Sequence, residues 1–167
     1  MPAVAPTIPF ETTAHVRDSC LCLHTQRAAR VLARRFDEAL RPAGLTNGQF
    51  SLLMALNRPR PAAMREVAEL LGADRTTLTA ALKPLVRRGL AEFHPDDADS
   101  RVRRVALTAA GRACLAEAMP IWTETHAALE AELDDADPAR LRRDLKTLSK
   151  TSAAGRAPAL CDEEARP

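Results

Sequence analysis

The side chains best suited to chemistry lie between positions 75 and 104. Thr76, Ala80, Lys83 and Arg87 fall away from Leu78, Leu82 and Leu85 when this stretch is wound as a helix, with Thr79 at the flank and Arg75 in the first turn. Helical periodicity sends the three leucines to a core and turns the hydroxyls and cations outward. Short hydroxyls and methyls near the helix start, then cations near its end, suit a helix inserted in a major groove. Threonine can bond base edges or phosphates and touch thymine methyls, whereas Lys and Arg meet phosphates. Arg75, in the first turn, could reach a phosphate or a carboxylate in the hairpin that follows. Arg101 and Arg103 come just after a polar turn, where an arginine could enter a narrow minor groove and its focused negative potential. The competing reading of both sets is an ordinary solvated surface.

A second group lies near the start of the chain. Cys20, Cys22 and His24 alternate along a helical stretch. Positions 20 and 24 share a face and Cys22 points away, so one metal ion cannot easily take all three, and no metal site is expected. Redox sensing needs an accessible thiol of lowered pKa; the alternative is a cysteine acting as a small buried hydrophobe. Arg27, Arg30 and Arg34 recur on one side of the same helix. They could neutralise an anionic ligand, contact a DNA backbone or form a solvated stripe. No Gly-rich phosphate loop, paired carboxylates or Ser/His/Asp arrangement stands out. The expectation is therefore no enzyme, no catalytic residue and no cofactor.

The elements that must position these groups follow from periodicity and punctuation. Residues 1–13, with three prolines, read as a flexible arm. Apolar three- and four-residue steps predict a helix over about 13–40, stopped by Arg41-Pro42-Ala43-Gly44. Thr46 with Gln49 forms a capping box for the next helix, which ends at Arg58-Pro59-Arg60-Pro61. A short helix over about 64–71, the turn Gly72-Ala73, and a helix capped by Asp74 and stopped near Gly89 make a helix-turn-helix. Strands over 90–94 and 101–107 make a hairpin directly behind it, a wing. A long helix over about 109–133 contains Pro120, a potential kink. Asp137-Pro138 opens a last helix to about 150, and 151–167 reads as a mobile tail.

Several strings resemble the MarR-type transcription regulators. Leu45-Thr46-Asn47-Gly48-Gln49-Phe50 resembles their second-helix signature. Val67-Ala68-Glu69-Leu70-Leu71-Gly72-Ala73-Asp74-Arg75-Thr76-Thr77-Leu78-Thr79 resembles their helix-turn-helix, and Leu85-Val86-Arg87-Arg88-Gly89-Leu90 its exit. Asp99-Ser100-Arg101 and Leu107-Thr108-Ala109-Ala110-Gly111 resemble the wing and its return. The match covers about 16–135.

The resemblance implies a mainly α fold with a small β-hairpin wing, in one domain over 14–150. The winged helix-turn-helix spans about 46–108, and dimerisation helices about 14–41 and 109–150 flank it. It implies a homodimer on a short palindrome of double-stranded DNA, typically a repressor released by a small molecule or an oxidant. The implied DNA contacts are Arg75, Thr76, Thr77, Thr79, Lys83, Arg87, Arg101 and Arg103, with Asp99 orienting Arg101 or bracing the wing. Cys22 matches the reactive cysteine of the hydroperoxide-sensing branch, whose nearby tyrosines are replaced here by Phe36 and Asn47. A phenolic or other anionic effector is the other implied ligand. The rival to DNA binding is a winged module that docks proteins.

Composition narrows the choice. The 167 residues contain 3% aromatics and no Tyr, which disfavours base-stacking platforms. The net charge of +2 excludes a global polycation, but it hides segregation. Residues 75–104 hold seven Lys/Arg against four Asp/Glu, and residues 124–167 seven against ten. Charge is thus concentrated where a groove would be read. No apolar run reaches the ~20 residues of a membrane helix, and the first residues lack a secretory pattern. Four irregularly spaced cysteines do not make a disulfide scaffold. The expected location is the cytoplasm, with no membrane partner.

Overall fold

The computed structural model describes residues 7–96, 103–133 and 137–151. Helices α1 (Phe10–Ser19) and α2 (Leu21–Leu40) lead through a 3₁₀ turn at Arg41–Ala43 to α3 (Asn47–Leu56). Strand β1 (Ala62–Ala63) precedes α4 (Met64–Leu71) and α5 (Arg75–Arg87). Strands β2 (Ala91–Pro95) and β3 (Arg103–Leu107), then α6 (Ala109–Ala131) and α7 (Pro138–Thr151), complete the order. The fold is mainly helical with one small antiparallel sheet, as the winged-helix reading requires. The chain divides into two compact units, Met1–Thr125 and His126–Pro167.

In the first unit, Leu78, Leu82 and Leu85 of α5 are fully buried together with Val67 of α4, Leu53 of α3, Leu40 of α2 and Val105 of β3. This is the core that the apolar spacing called for. The predicted caps are in place. Thr46 Oγ1 accepts from the Gln49 N–H at 3.2 Å, and Gln49 Oε1 accepts from the Thr46 N–H at 3.2 Å. The turn between α4 and α5 passes through Gly72 at φ +62°, a left-handed backbone that a side chain would strain.

Three features depart from the sequence reading. The proposed arm is already helical from Phe10, because Pro9 supplies a carbonyl to the Thr12 and Thr13 N–H groups and Glu11 sits in the first turn. The single helix expected over 13–40 breaks at Cys20 (φ −75°, ψ 104°). Just before it, the Ser19 hydroxyl donates to the His15 carbonyl, a back-bond of the kind that bends helices, and Asp18 pairs with Arg17. Strand β1 was missed: two alanines carry no strand signal. It pairs with β3 through Ala62↔Val105 and Ala63↔Arg104, giving the order β1-β3-β2.

Where β3 passes into α6, the Thr108 hydroxyl donates to the Gly89 carbonyl at 2.6 Å and accepts from the Gly111 N–H at 3.0 Å. A Cβ on Gly111 would lie 1.9 Å from the Leu90 carbonyl oxygen. The Leu-Thr-x-x-Gly string is thus a close approach of α6 to the end of the helix-turn-helix, which only glycine permits. In the second unit, the Asp137 carboxylate caps α7 by accepting from the Ala139 N–H at 2.8 Å, and Arg142 pairs with Glu130. No described residue of this unit is buried. Among the described residues, no helix is long and apolar enough to cross a membrane.

Candidate nucleic-acid interface

Helix α5 is fixed from both ends. At its start, the Asp74 carboxylate accepts the Thr77 N–H and the Thr77 hydroxyl, both at 2.7 Å. The backbone bond from Thr77, then its hydroxyl, hold the Asp74 carboxyl below its ordinary value. At its end, Arg88 donates to the Gly44 carbonyl at 2.8 Å, tying the exit to the loop before α3. Helix α5 runs through Pro84; the carbonyl to which residue 84 would donate belongs to Ala80, on the exposed side.

Arg75, Thr76, Thr77, Thr79, Lys83 and Arg87 are all exposed; Thr76, Lys83 and Arg87 lie opposite the three leucines, Thr77 and Thr79 on the flanks, and Arg75 in the first turn on the leucine side. The structure divides the threonines by role. Thr77 is committed to the cap. The Thr79 hydroxyl donates to the Arg75 carbonyl at 2.7 Å, which leaves its methyl and lone pairs for a ligand. Among the described residues, Arg75, Lys83 and Arg87 form no ion pair, so their charge is uncompensated.

The hairpin lies directly behind this helix, with Phe93↔Val105 and His94↔Arg104 in register. Arg103 places its guanidinium 5.3 Å from the centroid of the Phe93 ring, a cation–π contact that keeps it at the hairpin. Asp99 and Arg101 lie outside the described residues. Arg104, which the sequence reading passed over, pairs with Asp96 and donates to the Pro61 carbonyl at 3.1 Å. It fastens the root of the hairpin to the segment before β1. The signal was present in strand alternation, since Arg104 and Arg103 must face opposite ways.

The first-helix candidates are arranged differently. Cys20 caps α2, its sulfur accepting from the Leu23 N–H at 3.4 Å. The Cys20 carbonyl accepts from the His24 N–H at 3.1 Å, so the two keep the one-turn spacing expected of them, at the start of α2. Among the described residues, no three His, Cys, Asp or Glu are grouped to hold a metal. Cys22 is exposed rather than buried, and the Gln26 amide donates to its sulfur at 3.0 Å, while Arg30 donates to the Gln26 oxygen at 2.9 Å. Arg27, Arg30 and Arg34 are exposed. None of them lines the apolar cavity of about 350 Å³ formed by Phe50, Met54, Leu70, Leu71, Met119 and Trp122. Its Phe50 and Trp122 rings stack with centroids 6.1 Å apart. These two aromatics, far apart in sequence, were not identified as partners.

A capped helix-turn-helix whose second helix is backed by a three-stranded sheet defines a winged helix-turn-helix protein. Residues 43–102 match the MarR family. The chain is 42% identical to the M. tuberculosis transcriptional regulator MosR, solved in complex with DNA, over 81% of this chain and 98% of that one, with a TM-score of 0.74. It is 25% identical to Bordetella bronchiseptica BpsR, whose DNA binding is regulated by 6-hydroxynicotinic acid, over 82% and 96% of the two chains, with a TM-score of 0.66. It is 33% identical to the transcriptional activatory protein BadR of Rhodopseudomonas palustris, over 52% of this chain and 51% of BadR. The chain spans about half to three fifths of the length of the curated relatives it matches. It belongs to the MarR family.

Proposed function

We propose that the protein is a homodimeric, sequence-specific DNA-binding transcription regulator of the cytoplasm, and that an effector releases it from an operator it represses. The observation that carries this reading is the outward face of α5. Arg75, Thr76, Thr79, Lys83 and Arg87 are exposed, the cations are without counter-charges among the described residues, and the opposite face is locked into the core. Threonines near the helix start would meet base edges; Lys83 and Arg87 would meet phosphates. Thr77 acts as the cap that sets the helix start. Arg103, with Asp99 and Arg101 ahead of it, would follow the adjacent minor groove. The DNA complex of MosR supports the assignment. A protein-docking module would favour an acidic or apolar face here, and α5 presents cations.

Dimerisation would come from the flanking helices. Leu141, Leu145 and Leu148 of α7, and Leu21, Leu23, Val31 and Leu32 of α2, are exposed. A second copy would remove that apolar surface from water. For release, a small phenolic or anionic effector is the first reading, in keeping with BpsR, with Arg27, Arg30 and Arg34 offered as its counter-charges. An oxidant is the second, favoured by the exposed Cys22 sulfur and its amide donor Gln26. The test is a mobility-shift titration on DNA upstream of the gene, repeated with phenolic acids, their thioesters and a hydroperoxide. Specific binding lost on one of these additions is expected. Binding no tighter than to unrelated DNA would refute the assignment. Release by hydroperoxide that persists in Cys22→Ser would remove the oxidant reading.

A further inference from the structure

The loop between α3 and β1 contains Arg58-Pro59-Arg60-Pro61. It lies outside the residues proposed to read DNA. Two prolines in four residues fix φ and withhold two N–H groups, so the arginines are presented on a stiff support and lose little freedom on binding. A polar cavity of about 210 Å³ opens on this loop, lined by Asn57, Arg58 and Arg60 and closed by Leu107 and Arg112 at the start of α6.

The charges around the loop do not balance. Arg58 reaches Glu66 at 3.4 Å, and Arg104 is paired with Asp96. Arg60 has no partner among the described residues. Arg112 spends one N–H on the Leu107 carbonyl at 2.9 Å and meets no carboxylate among them. Four guanidinium groups against two carboxylates leave two positive charges, those of Arg60 and Arg112, on one cavity. A single dianionic group would neutralise both and accept the remaining fork of N–H donors, for which guanidinium geometry is well matched.

The register argues for a small ligand over flanking DNA. Strand β1 is antiparallel to β3, with Ala62 opposite Val105 and Ala63 opposite Arg104. Residues before Ala62 therefore run beside Ala106 and Leu107, away from Arg103. At ~3.3 Å per residue, four steps along β3 put the cavity about 13 Å from the hairpin end that would enter a groove. Its volume is also below the ~300 Å³ at which drug-sized ligands begin to fit.

We propose that the cavity between the Arg58–Pro61 loop and the first turn of α6 is a binding site for a small dianion of the phosphate type, held by Arg60 and Arg112. The chemistry is shared by free phosphate and a phosphate monoester. Bound there, the anion would bridge the loop before β1 to α6, and so stiffen the base of the hairpin. The inference stands on the cavity and its charges and does not rest on the DNA-binding reading.

The test is the melting temperature of the full chain against inorganic phosphate, with chloride adjusted to hold ionic strength constant, and the same titration with phenyl phosphate. A saturable rise is expected. Arg60→Ala, an exposed change that breaks no described contact, should weaken it about tenfold or more, the scale of one charged hydrogen bond. Arg112→Gln should do the same, and Arg75→Ala, on the α5 face, should leave it intact. A tighter response to phenyl phosphate would assign the monoester as the source, and an equal response the free anion. No saturable rise, or one that Arg60→Ala leaves unchanged, would overturn the proposal. So would phosphate insensitivity combined with a shallower salt dependence of DNA binding in Arg60→Ala, since the anion would then be the DNA backbone.

Discussion

Helices α5 and α7 are written with the same apolar rule and meet different fates. Leucines stand at 78, 82 and 85 in α5 and at 141, 145 and 148 in α7, the same spacing in helices of 13 and 14 residues. In α5 the three are 0–1% exposed; in α7 they are 43–44% exposed. An amphipathic stripe states that a helix needs a partner surface and does not state whose surface it is. For α5 the partner is the rest of its own unit, so its polar face is aimed with precision. In α7 the stripe stays partly exposed, which is why a second copy of the chain is the proposed partner.

The sharpest way to break this contrast is to truncate one leucine of each stripe. Leu82→Ala should destabilise the fold by ~2–5 kcal/mol, the cost of a cavity in a packed core, as read by denaturant unfolding. Leu145→Ala should leave no cavity; it should instead weaken self-association in sedimentation and reduce the dependence of Tm on protein concentration. Equal losses of intrinsic stability would erase the distinction. Next in size is Gly111→Ala. The added methyl meets the Leu90 carbonyl, so α6 or the end of the helix-turn-helix must shift, at ~1–3 kcal/mol. An unchanged unfolding midpoint would mean that the junction yields freely.

The smallest effect concerns the cap that aims α5. Thr77 lowers the Asp74 pKa in the folded state relative to the unfolded chain. The stabilisation is therefore present above the ordinary carboxylate value, ~4, and is lost as the pH falls through the lowered folded value. The Tm difference between the wild type and Asp74→Ala should be largest near neutrality and narrow in acid. A gap independent of pH would show that the carboxylate charge contributes nothing to the cap.

What could be read in advance follows the range of the interaction. The capping box at Thr46, the Asp74 cap, the Gly72 turn and the outward face of α5 are local signals, set by residues within one or two turns of each other. The features that escaped are non-local. Strand β1 exists because β3 offers it an edge, not because Ala62 and Ala63 favour a strand. Strand alternation separates Arg104 from Arg103, but its bond to the Pro61 carbonyl joins segments 43 residues apart. Phe50 and Trp122 lie on helices with no sequence sign of their stacking. The break at Cys20 is local, and the apolar periodicity on either side of it carries no sign of it. For the candidate site, exposure was legible and local role was not: Thr77 carried the same sequence promise as Thr76, and its hydroxyl is spent on Asp74.

The central claim is that the exposed cations of α5 meet DNA phosphates while the helix behind them stays rigid. The most direct measurement is the affinity for the upstream operator as a function of NaCl concentration, for the wild type and Arg87→Ala. Counterion release predicts a linear fall of log K with log salt, and Arg87→Ala should make that slope shallower by about one with unfolding unchanged. A flat salt dependence in the wild type, or an identical slope in Arg87→Ala, would contradict it.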